Sequence, residues 1–114
     1  MRKSDKKKDN ALRKALTRFC NEHCEPLSGF EWLTHVIDWQ RTDNIKVIVV
    51  FTTDEQLRSF LGSQMRLQLE AQLMAVLKAE DLAMHNPKKQ IVYDTEQQCK
   101  VGHNGNWARR LSHL

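Results

Sequence analysis

The chain has 114 residues, enough for one domain with a modest hydrophobic core. Hydrophobic residues make up 40% and charged residues 28%, a globular balance that argues against a fibre, a membrane-embedded chain or a wholly disordered one. A formal net charge of +4 and an isoelectric point of about 9.1 fit a polyanion partner, and three cysteines are more simply thiols than a disulfide framework.

Residues 1–9 carry Arg2, Lys3, Lys6, Lys7 and Lys8 with almost no apolar content, and are expected to form a basic flexible arm. The charge is that of a secretory n-region, but no apolar h-region follows. No apolar run approaches the roughly 18 residues of a membrane span, so the expected location is the cytoplasm.

Leu12, Ala15, Leu16, Phe19 and Cys20 then recur at helical spacing, with Arg13, Lys14, Thr17 and Arg18 opposite. This predicts a first helix from about Ser4 or Asn10 to Cys24, ended by Pro26. Ser28-Gly29 reads as a loop. Phe30 to Gln40, aromatic and β-branched, predicts a strand with Phe30, Trp32, Thr34 and Val36 on one face and Leu33, Ile37 and Trp39 on the other. The polar turn at 41–44 leads into a second strand, Ile45 to Thr52, with Ile45, Val47, Val49 and Phe51 on one side, and so short a link predicts an antiparallel hairpin.

Thr53 with Gln56 three residues on has the spacing of a capping box, and Leu57, Phe60 and Leu61 give a short helix behind it. Gly62-Ser63 predicts a kink, after which Met65, Leu69, Leu73, Val76 and Leu77 form the stripe of a helix running to about Met84. Asn86-Pro87 breaks it, and Gln90 to Tyr93 is a third strand. Residues 97–114 read as a polar C-terminal tail, either mobile or with one last helical turn. The expected class is α+β, in the order α-β-β-α-α-β, with a three-stranded sheet and helices packed on one face.

Four stretches resemble the ribosome-binding factor A family. They are the opening helix Ala11-Leu12-Arg13-Lys14-Ala15-Leu16, the hairpin Phe30–Trp39 with Ile45–Phe51, the helix–kink–helix around Gly62-Ser63-Gln64-Met65-Arg66, and the Pro-led strand Asn86–Asp94. Together they cover about residues 10–96. The resemblance implies a type II KH-like domain that contacts 16S ribosomal RNA while the small ribosomal subunit matures, with no cofactor.

The positive side chains suited to phosphate contact are Lys6, Lys7, Lys8, Arg13, Arg18, Arg66, Lys88, Lys89, Arg109 and Arg110. Backbone N–H groups at Gly62 and Ser63 could add to them, although Gly62 is more simply a point where two helices cross closely. Trp32 or Trp39, if exposed, could stack on a base; packing into the core is the commoner use of a strand tryptophan. Trp107 beside Arg109 and Arg110 is either an aromatic–basic RNA contact or the anchor of the tail.

Cys20, His23, Cys24, Cys99 and His103 contain the side chains of a zinc site but not its dense spacing, and a buried thiol explains Cys20 better. His35 could act as a base, though a partly buried strand histidine is the simpler reading. No phosphate-binding loop, nucleophile elbow or His-Glu-x-x-His helix is present, so no catalytic residue and no metal ligand is expected. The alternative function is a protein-interaction or regulatory module of the same fold, pairing through the hairpin edge or the Trp107 tail without binding RNA.

Overall fold

A computed structural model describes residues 2–114. Its element order is α1 (Lys3–Phe19), a π turn (Cys20–Cys24), β1 (Phe30–Val36), a 3-10 turn (Thr42–Asn44), β2 (Lys46–Phe51), α2 (Asp54–Leu61), α3 (Gln64–Ala79), α4 (Pro87–Gln90), β3 (Ile91–Thr95), α5 (Glu96–His103) and α6 (Trp107–Leu111). The predicted α+β order is present, with short α4 before the last strand and two helices after it.

The sheet runs β1-β2-β3, with β1 antiparallel and β3 parallel to the central β2. A parallel pair needs a long crossover, and α2 and α3 supply it. One sheet face, formed by Leu33, Val47, Val49, Phe51, Ile91 and Tyr93, packs against Leu12, Leu16 and Phe19 of α1, Phe60 of α2, and Leu69, Leu73 and Leu77 of α3. Each of those leucines contributes about 1.5–3 kcal/mol by leaving water.

Local chemistry sets most boundaries. Thr53 accepts the Gln56 backbone N–H at 3.2 Å and starts α2, as the capping spacing predicts. Gly62 and Ser63 separate α2 from α3. α3 stops at Ala79, short of Met84, because Asp81 adopts a left-handed conformation and Leu82 N–H returns to the Leu77 carbonyl at 2.8 Å. β1 stops at Val36 because Asp38 makes a turn, accepting Arg41 N–H on its carbonyl and Gln40 N–H on its carboxylate.

Four sequence expectations need correction. Residues 1–9 are not a flexible arm: from Lys3 they are the first turns of α1. Asp5 and Asp9 lie buried on its inner side, where Asp9 accepts hydrogen bonds from Arg13 and Trp39. Phe30 and Trp32 do not share a face, because the register shifts between them. Phe30 pairs with Phe51 over the core, while Trp32 pairs with Val50 and points the other way.

The tail holds two helices, more than the one last turn expected. Thr95 caps α5 and Asn106 caps α6, each accepting a backbone N–H three residues on. These helices reach the second sheet face, so the helices are not confined to one side. Trp32 meets Trp107 edge to face at 4.8 Å, and Arg110 grips Asp94 of β3 through two N–H groups at 2.6 and 2.9 Å. Ile48 and Val50, which point to this side, are fully buried.

Candidate nucleic-acid interface

Helical geometry sorts α1 by charge. Its inner side holds Leu12, Ala15, Leu16 and Phe19, together with both of its carboxylates, Asp5 and Asp9. On the outer side, Lys3, Lys7, Lys14 and Arg18 recur at i, i+4, i+11 and i+15 and are all exposed. At 3.6 residues per turn these four lie within about 60° of one line, along roughly 22 Å of helix. Lys6 and Lys8 flank the line. No acidic side chain interrupts it, because turning Asp5 and Asp9 inward is what makes the outer surface uniformly positive.

Asp9 holds this arrangement together. It accepts from Arg13 Nε at 2.8 Å and Trp39 Nε1 at 3.3 Å, and His35 Nε2 stands 3.6 Å away. Burial pushes its carboxyl up, but the bonds from Arg13 and Trp39, with His35 close by, outweigh that and hold it below its ordinary value. The cluster lines a groove of about 600 Å³ between α1 and the free edge of β1, with Leu16, Leu33 and Ile37 as apolar walls. His35 is thus a partner of Asp9 in this groove.

The other candidate cations divide into tethered and free. Arg13 is tied to Asp9, although its side chain remains 69% exposed. Arg66 bonds Glu70 at 3.1 Å, and Glu70 also accepts the Tyr93 hydroxyl at 2.7 Å. Arg110 is half-buried in the tail and bridges Asp94 and the Gln98 carbonyl; the Asp94 carboxylate raises its already high pKa. Lys6, Lys7, Lys8, Arg18, Lys88, Lys89 and Arg109 are exposed and make no ion pair among the described residues. Lys89 lines a groove with Lys46 and His85, but Asp38 and Asp43 line it too, so its field is of mixed sign.

The structure therefore brings Lys6, Lys7, Lys8 and Arg18 together on one helix, and leaves Arg66, Lys88, Lys89, Arg109 and Arg110 on other elements. The residues of the line that are not among the sequence candidates are Lys3 and Lys14. The spacing of Lys3, Lys7, Lys14 and Arg18 is the signal, and it needs a helix that starts before Ser4 to bring all four into line.

All three tryptophans have their indole N–H engaged: Trp32 and Trp107 on Glu96, Trp39 on Asp9. Trp107 is the anchor of the C-terminal helices. At the α2–α3 kink, Ser63 donates its hydroxyl to the Phe60 carbonyl at 2.7 Å, so the first N–H groups of α3 receive no side-chain cap from it. Cys20 and Cys24 belong to the core on the α1 side, whereas Cys99 and His103 lie in α5 beside Arg110, across the sheet. Among the described residues no three His, Cys, Asp or Glu side chains converge as a metal site would require. No helix among them is long and apolar enough to cross a membrane. Compared with family models, curated proteins and solved structures, the chain matches none of them.

Proposed function

We propose that this chain binds RNA along the outer face of α1, as a cytoplasmic ribosome-assembly-type factor that contacts small-subunit ribosomal RNA without catalysing a reaction. The observation that carries the reading is the line of Lys3, Lys7, Lys14 and Arg18, free of carboxylates and exposed along the longest helix. Each phosphate such a surface neutralises releases counterions, so affinity arises from charge and falls with salt. The uncapped start of α3 adds backbone N–H donors of the kind that receive phosphate. The resemblance of residues 10–96 to ribosome-binding factor A gives the RNA its identity within this proposal.

The test is co-sedimentation with ribosomal subunits at low and high salt. Association with the small subunit that disappears at high salt is the expected result. Equal association at both, or none at either, overturns the proposal.

A second reading, a protein-interaction module of the same fold, draws on a different surface. Leu67 of α3 is 69% exposed and Met74 is 40% exposed, and with Ala71 between them they form an apolar line facing away from the core. A tight homodimer that ignores RNA would favour this reading.

A further inference from the structure

α1 does not end with an ordinary turn. After Phe19 the backbone widens into the single π turn Cys20–Cys24, closed by Glu25 N–H on the Cys20 carbonyl at 2.8 Å. A π turn is one of the ways a helix C-terminus closes. This one contains two of the three cysteines of the chain, four residues apart. With more than four residues per turn, such positions stand almost one above the other. The rise of a helical turn, about 5 Å, falls within the Cα separation that a disulfide spans.

The two sulfurs differ in their surroundings. Cys20 is half-buried and lines the groove between α1 and β1, with Thr17 one turn and Arg13 two turns back along the same side. Cys24 is fully buried behind it in the core. The Cys24 side chain follows Cys20 by one turn, and the two thiols influence each other. That mutual influence lowers the Cys20 pKa, against the opposing effects of burial and the Glu25 charge, and raises the Cys24 pKa, with burial adding to the rise. Cys20 is thus the accessible thiol, with its pKa lowered, and Cys24 the buried thiol one turn on, with its pKa raised.

We propose that Cys20 and Cys24 form a peroxide-oxidisable dithiol, with Cys20 the attacking sulfur and Cys24 the resolving one. The Cys20 thiolate attacks one oxygen of hydrogen peroxide; the S–O bond forms, the O–O bond breaks, and the departing hydroxide takes up the proton that Cys20 had released. The Cys24 sulfur then attacks the Cys20 sulfenic acid, forming the S–S bond and breaking the S–O bond, and its proton leaves with the hydroxide as a second water. Two thiols are oxidised by two electrons and one peroxide is reduced to two waters. The groove admits a small oxidant to Cys20, and Cys24, in the same turn, is the thiol placed to resolve it.

Cys99 provides an internal comparison. It is fully buried, burial raises its pKa, and it lies across the sheet from the other two. It has neither groove access nor a resolving partner. The inference stands independently of RNA binding.

The test uses the full chain, reduced and freed of reductant, with one equivalent of hydrogen peroxide. The free thiols measured after unfolding should fall from three to one. The tryptic peptide Phe19–Arg41, which holds both Cys20 and Cys24, should become about 2 Da lighter through loss of two hydrogens, and dithiothreitol should reverse the change. Cys20 should react at least about tenfold faster than Cys99. In Cys24→Ser the reaction should stop at a Cys20 sulfenic acid that dimedone captures. An unchanged Phe19–Arg41 peptide, equal loss of Cys99, or a disulfide between two chains overturns the proposal. The measurement on the unaltered protein decides this even if the variant fails to fold.

Discussion

Trp32 of β1 and Trp107 of α6, far apart in the chain, donate their indole N–H groups to the two oxygens of one carboxylate, Glu96, at 2.6 and 3.0 Å. The rings meet edge to face, so a single acidic side chain closes the C-terminal helices onto the sheet. Glu96→Ala leaves both half-buried donors without their acceptor and should lower the unfolding free energy by about 2 kcal/mol, with Glu96→Gln costing roughly half as much. Urea denaturation followed by tryptophan fluorescence measures it. A change below about 0.5 kcal/mol for the alanine variant would show that the carboxylate does not hold the tail.

The positive line on α1 makes a graded prediction. Lys7→Glu with Lys14→Glu should abolish binding to small-subunit RNA at moderate salt. Lys7→Ala alone should reduce the salt slope by about 0.7–0.9, the share of one phosphate contact. Lys88→Ala with Lys89→Ala, outside the line, should change affinity less than threefold. Fluorescence anisotropy across a salt series reads all three, and an equal effect from both pairs would refute the placement on α1.

Acid should destabilise the protein through Asp9 and Asp54. Asp9 is held below the ordinary carboxylate value of 3.8 despite its burial, and Asp54 is held below it by hydrogen bonds from Thr95 and Gln98. Well above 3.8 both groups are ionised in folded and unfolded chains alike, and their contribution is constant. As pH falls through 3.8 the unfolded chain takes up protons first, so stability is lost until the lower native pKa values are passed. The unfolding free energy should therefore decline between about pH 5 and pH 3, less steeply in Asp9→Asn and Asp54→Asn. A parallel decline in both variants would exclude these carboxylates as the cause.

Gly29 should not tolerate a side chain. Its φ is +83°, its carbonyl accepts Thr52 N–H at 2.8 Å, and a β-carbon there would run into Gln56 of the α2 capping box. Gly29→Ala should cost more than about 1 kcal/mol, while Gly105→Ala, with positive φ but open space around it, should cost less. Thermal melts of the two variants compare them directly.

The main layer of the fold was legible because its signals are local: the Leu12–Phe19 stripe, the Thr53–Gln56 cap, the Gly62-Ser63 kink and Pro87. The second layer depends on partners far apart in sequence, such as Trp32 with Trp107 and Asp94 with Arg110. One clue was still present. Ile48 and Val50 make β2 apolar at both parities, and a strand of that kind needs cover on both faces. For the candidate site, the cations were visible but their tethers were not. Arg110 looked like a free cation because the Asp94 that holds it lies on another element, and Lys7 and Lys14 fell into register only once α1 extended back to Lys3.

The parallel pairing of β2 with β3 has a consequence during synthesis. Ile45 to Phe51 is the most apolar segment of the chain, and β1 covers only one of its edges. Its other edge waits for residues 91–95, and its second face waits for the helices after them. Until about forty further residues have left the ribosome, the nascent chain displays a short β-forming stretch, Lys46 its single charge, of the type that joins to its like. Premature termination anywhere before β3 should therefore yield aggregates rather than a smaller folded domain.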